Sequence, residues 1–220
     1  MSKRLALLTF CHLLVGGMVA LSLAGCASRG TTETPAAKSD IADFRDLVLR
    51  SQEGVNKTIT ALEMVKAAGT NCPPSVIQSY EKQVEDIEVG SVAVRARVQA
   101  ILKRGDAYFE TWQRHLGQMA DPTARQIAEQ RRPAMLEAFH RIKSRCSQTS
   151  DDFRPFLSDL IRLQGSLEKD AGAVGTSQTQ ELMARIRVEG QKVTQNLAAI
   201  QKELDELTAT VEFIKASTRN

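Results

Sequence analysis

The sequence predicts an all-α fold: an elongated antiparallel helical bundle or coiled coil of about four long helices, preceded by an N-terminal signal peptide and a flexible tether. Three observations predict it. Apolar residues recur at alternating three- and four-residue spacing over long runs. The 13 Gly and 6 Pro sit mostly between those runs, where they punctuate rather than fill. Aromatic residues make up only 5 % of the chain, which suits long helices better than a sandwich or barrel.

The N-terminal segment has a charged start, Lys3 and Arg4, and an apolar run over residues 5–23, the layout of a secretory signal. It closes on Leu23-Ala24-Gly25-Cys26, which resembles the lipobox of bacterial lipoproteins. The resemblance implies that the Cys26 thiol receives a diacylglycerol and that the chain is cut between Gly25 and Cys26. An uncleaved membrane anchor is the rival, since about 20 apolar residues can span a bilayer. His12, Gly16, Gly17 and the small residues before Cys26 fit a processed signal better. Ala27 follows the Cys where, by resemblance to enterobacterial lipoproteins, an Asp would imply retention in the inner membrane, so the location the resemblance implies is the outer membrane, lipid-anchored and facing the periplasm. The organisation expected is a signal peptide over 1–25, the lipidated Cys26 with a linker over 26–39, and a helical bundle over 40–218. Residues 27–39 are small, polar and unpatterned, a tether of up to ~40 Å.

From Asp40 the pattern becomes helical. Ile41, Phe44, Val48, Ser51, Val55, Thr58, Leu62 and Val65 form one stripe, with Ser39 or Asp40 as cap and Gly69-Thr70-Asn71-Cys72-Pro73-Pro74 as stop. That is a helix of about 30 residues, or ~45 Å. Ser75 is the expected cap of the second helix. Its stripe runs through Ile77, Tyr80, Val84, Ile87, Ser91, Val94, Val98, Ile101, Gly105, Tyr108, Trp112, His115 and Met119 to Asp121-Pro122, ~68 Å in all. The third carries Ala128, Arg132, Met135, Phe139, Ile142, Cys146, Thr149, Phe153, Phe156, Leu160, Leu163 and Leu167. Pro133 and Pro155 predict kinks or a break in it, with Ser150 able to cap a fresh start. Residues 171–176, with Gly172 and Gly175, form the last turn. The fourth helix, from about Ser177, is striped by Ile186, Gly190, Val193, Leu197, Ile200, Leu204, Leu207, Val211 and Ile214, with Lys192, Lys202, Glu203, Glu206 and Glu212 outside.

Short connections make sequential helices antiparallel neighbours, and the turns set the register. Helix 1 is the shorter, so its start lies level with about Gly105, and residues 106–132 project as a hairpin tip beside the tether. Cys146 lies level with Arg97, while Cys72 sits at the far turn, ~37 Å away along the axis. That exceeds the reach of a disulfide, so two unpaired thiols are expected, Cys146 in the core and Cys72 exposed in a loop.

Charge excludes a dedicated nucleic-acid binder. Without Lys3 and Arg4 the 29 basic residues become 27, against 26 acidic ones, a net of about +1. Residues 95–145 hold a local basic excess that suits either a solvated face or an anionic surface. A di-metal centre would need paired Glu-x-x-His motifs. Only Glu137 to His140 is present, and the other mature histidine, His115, lies ~18 Å away along the axis and reads as a polar core residue. No metal, cofactor or catalytic set is expected, and the chain is not expected to be an enzyme.

The densest unusual stretch is Arg104-Gly105-Asp106-Ala107-Tyr108-Phe109-Glu110-Thr111-Trp112. Two readings apply: aromatic packing where the bundle changes from four helices to fewer, or a docking or lipid-contact patch of Tyr108, Phe109 and Trp112 framed by Arg104 and Arg114. The lipobox, the long helices, this aromatic segment and Phe153-Arg154-Pro155-Phe156-Leu157 resemble an uncharacterised bacterial family, domain of unknown function 2959, over residues 40–211. No activity comes with that resemblance. The function expected is an envelope scaffold or adaptor, membrane-anchored through Cys26 and engaging protein partners through helix pairing. The alternative is a lipid or small-ligand binder at the aromatic tip. The same stripes serve a monomer or a homo-oligomer.

Overall fold

The computed structural model describes residues 35–217, with side chains placed over 39–209. Four long helices account for nearly all of it: α1 (Pro35–Ala68), α2 (Pro74–Leu116), α3 (Pro122–Lys169) and α4 (Ser177–Ser217). The pairs α1 with α2, α2 with α3, α3 with α4 and α4 with α1 pack together, so the helices stand in cyclic order around one core. That is the up-down-up-down bundle short loops enforce. The expected signal peptide, residues 26–34 of the linker, and Gly25 and Cys26 lie outside the described residues. Residues 35–39, assigned above to the linker, belong to α1, so neither Ser39 nor Asp40 is its cap.

The predicted stripes line the core. Phe44, Val48, Val55, Thr58, Leu62 and Val65 of α1 are buried, as are Ile186, Gly190, Val193, Leu197, Ile200, Leu204 and Leu207 of α4. The side chains of Val211, Glu212 and Ile214 lie outside the described residues. Thr58 is buried without penalty because its hydroxyl donates to the Gly54 carbonyl at 3.0 Å.

Helix ends follow local chemistry. Cys72 and Pro73 are extended (ψ 121° and 141°), and Pro74 opens α2, where a missing amide proton matters least. The first position is thus taken by Pro74 rather than capped by Ser75. Gly69 reaches φ 63° in the 3-10 turn Gly69–Asn71, a left-handed conformation that glycine adopts freely. At the other end α2 stops at Leu116 and residues 117–121 make the turn, longer than the two-residue break expected. The Asp121 carboxylate then caps α3, accepting from the amides of Thr123 at 2.9 Å and Ala124 at 3.3 Å. The 3-10 turn Ala171–Gly175 joins α3 to α4 and meets the Gly69–Asn71 turn, closing that end of the bundle.

Pro133 and Pro155 do not break α3, which runs as one helix through both. Each ring lies on the exposed side, so the carbonyls of Glu129 and Asp151, which lose their amide partners, face water. Ser150 accordingly lies inside the helix and starts no new one.

Interhelix contacts report the register. Arg104 binds Asp40 through two nitrogens, with a shortest contact of 2.7 Å, which sets Asp40 level with Gly105 as the turn lengths require, while α1 itself begins five residues earlier, at Pro35. The Tyr80 hydroxyl donates to the Leu160 carbonyl at 3.0 Å, and Lys143 pairs with Asp106 at 2.8 Å, both joining α2 to α3.

Candidate functional site

The aromatic segment lies near the turn that joins α2 to α3. Phe109 and Trp112 stack at 6.1 Å with planes 10° apart, Tyr108 meets both edge-on, and Phe139 of α3 packs on Phe109 at 5.4 Å. Gly105 makes room for this, because a Cβ there would run into the Phe139 ring. Phe109 and Trp112 are 7 % and 3 % exposed, so they form an inner cluster and not the open patch that one reading required. Tyr108 is half-buried. Of the two framing arginines, Arg104 is held by Asp40, which raises its pKa through the hydrogen bonds, while the exposed Arg114 donates to the neutral Thr111 hydroxyl at 3.0 Å.

Burial slips by one residue at this end of α2. The strict seven-residue spacing places Tyr108 and His115 inside, whereas Phe109 and Leu116 are buried and His115 is exposed. A straight helix drifts by about 20° per heptad against a 3.5-residue repeat, and over six heptads that amounts to one position. His115 is therefore a surface residue and not a polar core residue. His140 is exposed too, Glu137 pairs with Arg141 at 3.4 Å, and no cluster able to hold a metal ion occurs among the described residues.

Besides pairs within single helices, the structure brings charges together between helices. Along the α3–α4 seam Arg141 meets Glu203 at 2.9 Å, Lys192 meets Asp152 at 2.6 Å, and Arg185 meets Asp159. In each pair the acid is sheltered (15 %, 15 % and 13 % exposed) and the base reaches over it from the rim. Glu203, expected on the outer face of α4, is thus turned into the seam. Buried Asn196 donates to the same Asp152 at 2.7 Å. On the other seams Arg97 pairs with Asp43, Arg45 with Asp205 and Arg187 with Glu63. Sequence periodicity misses these pairs because they depend on which helices are neighbours.

Glu189 is the exception. Its Oε2 is buried without a hydrogen-bond partner, and burial, reinforced by Asp159, pushes its carboxyl above the usual range despite Arg185 nearby.

Cys72 and Cys146 are free thiols. Cys146 is half-buried against the core and burial pushes its thiol up to about 12. Cys72 is only 7 % exposed, contrary to the loop position expected, because the extended Cys72-Pro73 step tucks its side chain under the turn. Burial raises that thiol as well, so neither is primed as a nucleophile.

One open groove of about 670 Å³ runs along the outer side of α1, with Leu49, Asn56, Lys57 and Met64 facing Ser79 and Gln83 of α2. No described helix is long and apolar enough to cross a membrane. No family model matches the chain, and no curated protein or solved structure is significantly similar to it.

Proposed function

We propose that this chain is a lipid-anchored scaffold or adaptor of the bacterial envelope, held in the outer membrane through Cys26 and facing the periplasm, without catalysis of its own. The observation that carries the reading is Leu23-Ala24-Gly25-Cys26 at the end of a basic-then-apolar leader. The helical body beyond that leader supports a structural role. Its four helices spend their sheltered acids on fixing helix against helix, as Asp152, Asp159 and Glu203 do, and their aromatic cluster on packing one end. The ligand-binding alternative draws no support from rings already seated on Phe139. Under this reading the likeness to domain of unknown function 2959 is a proposal of kinship, with the aromatic segment as a packing signature.

The test is metabolic labelling with palmitate and fractionation of the full chain expressed in a bacterium. The wild-type chain is expected to carry label and sediment with outer membranes, and Cys26→Ala is expected to lose both. Label or membrane association that survives the substitution overturns the anchor.

A further inference from the structure

The outward face of α2 is apolar where an outer face should be polar. Val89 and Val92 are each 68 % exposed, the highest values among the large apolar side chains of the described residues, and Ala93, Ala96 and Ala100 continue the stripe at helical spacing. On the inward side of the same stretch nothing is fully buried between Val84 and Ile101; Ile87, Val94 and Val98 are only half covered. This part of α2 therefore offers apolar surface on two sides while the bundle uses one.

Charge chooses the occupant. The first half of the stretch carries Glu85, Asp86 and Glu88, and the second half Arg95, Arg97 and Lys103, all exposed. Asp86 and Arg97 make exposed pairs with Lys82 and Asp43, at 3.0 Å and 3.2 Å, that remain open to a further partner. An identical helix laid antiparallel, with a two-fold axis near Val92, sets the acids of each copy beside the bases of the other, Glu88 with Arg95 and Asp86 with Arg97. A parallel copy would set like on like. Such a pairing is isologous and closes on itself.

We propose that a second copy of this chain docks antiparallel on the Val89–Val92 face of α2, which makes the scaffold role above a self-association; the inference rests on that role and names its partner. The contact is small, below the ~1,200 Å² of a stable interface. Confinement to a membrane surface raises the effective concentration enough for a weak contact to be occupied. The antiparallel arrangement also sets the two α1 starts at opposite ends of the pair, so the dimer lies along the membrane and does not stand on it.

The experiment is oxidative cross-linking of the full chain in bacterial envelopes. Val92→Cys, at the axis, is expected to give a band at twice the mass of the uncross-linked chain in the same envelopes. Ala107→Cys, exposed on the same helix but ~45 Å from its mate in such a pair, is expected to give none. Adding Glu88→Arg to Val92→Cys should cut the cross-link at least ten-fold, and adding Arg95→Glu as well should restore at least half of it. Circular dichroism of each variant checks that the exposed changes leave the helices intact. No band from Val92→Cys, a band of another mass, cross-linking from Ala107→Cys, or indifference to Glu88→Arg overturns the pairing. Fractionation of the same envelopes separates the two ideas: a membrane-bound chain that fails to cross-link sinks the dimer alone. A cross-linked chain outside the membrane fraction sinks the anchor alone.

Discussion

The two 3-10 turns close one end of the bundle, and the middle of α2 runs along its flank; the two regions are built from the same spacing and packed to different degrees. Near the turns Leu62, Val65, Tyr80, Val84, Phe156, Leu160, Leu163, Val174, Met183 and Ile186 are all at most 1 % exposed. Along the flank α2 buries nothing between Val84 and Ile101, and α3 buries nothing between Ile142 and Phe156. At the same level α1 and α4 still bury Val48, Val55, Val193 and Leu197. The weakness is therefore confined to the α2–α3 side. Its origin is the side chains in the stripe, where Ser91, Cys146 and Thr149 stand at positions that hold Leu or Phe nearer the turns. Periodicity makes a helix pair, but side-chain volume decides how tightly it closes.

The sharpest way to break the comparison is to truncate one apolar side chain in each region. Phe156→Ala should remove ~3–5 kcal/mol of stability in urea unfolding, since a fully buried ring leaves a cavity the turns cannot fill. Val94→Ala, on the half-covered flank, should cost under ~1 kcal/mol, because the exposed side lets water or neighbours take up the space. Equal losses would mean that the flank is as closed as the turn end.

Glycines give the next test, with opposite signs. A Cβ at Gly190 would meet Ile59 Cδ1 at 2.8 Å and Phe156 Cε2 at 2.9 Å, whereas one at Gly90 meets nothing within 4 Å. Gly190→Ala should therefore destabilise by ~1–2 kcal/mol, overpacking outweighing the helix propensity gained. Gly90→Ala should stabilise by just under ~1 kcal/mol through propensity alone. Thermal denaturation monitored by circular dichroism reads both; a stabilising Gly190→Ala would show that the α1–α4 contact has slack.

Much of the fold was legible in the residues. Phe44, Val48, Val55, Thr58, Leu62 and Val65 of the α1 stripe, and the α4 stripe from Ile186 to Leu207, are buried as spaced, and turn lengths alone placed Asp40 opposite the segment where Arg104 holds it. What escaped has physical causes. Leu47, Ala61 and Met183 are buried because a globular helix buries a band wider than a single 3,4 stripe. Phe109 and Leu116 replaced Tyr108 and His115 through drift against the seven-residue repeat, so of the two readings of the aromatic segment the packing one holds, with the buried positions shifted by one residue. Cys72 and Glu203 were misplaced because the fold of a turn, and the neighbour across a seam, lie outside any single-helix pattern. Pro133 and Pro155 were overweighted because their exposed placement lets water serve the freed carbonyls.

The smallest effect probes a flaw inside the better-packed half, and there the sign depends on pH. Glu189 lies one residue from Gly190, its Oε2 buried and unpartnered, its carboxyl held above the usual carboxylate range chiefly by burial and then by Asp159. A folded-state pKa above the unfolded one means the native chain binds its proton more tightly than the unfolded chain does. Ionisation therefore works against folding at neutral pH, and that penalty fades as pH falls through the folded pKa towards the unfolded value. Glu189→Gln keeps the shape and removes the charge. It should raise stability at pH 7 by under ~1 kcal/mol, partial exposure screening the effect, and the gain should shrink as pH falls into the carboxylate range. Unfolding free energies of both chains at pH 7 and pH 4 decide it. A variant less stable than wild type at pH 7 would mean that Arg185, already committed to Asp159, nonetheless holds Glu189 as its true counter-ion.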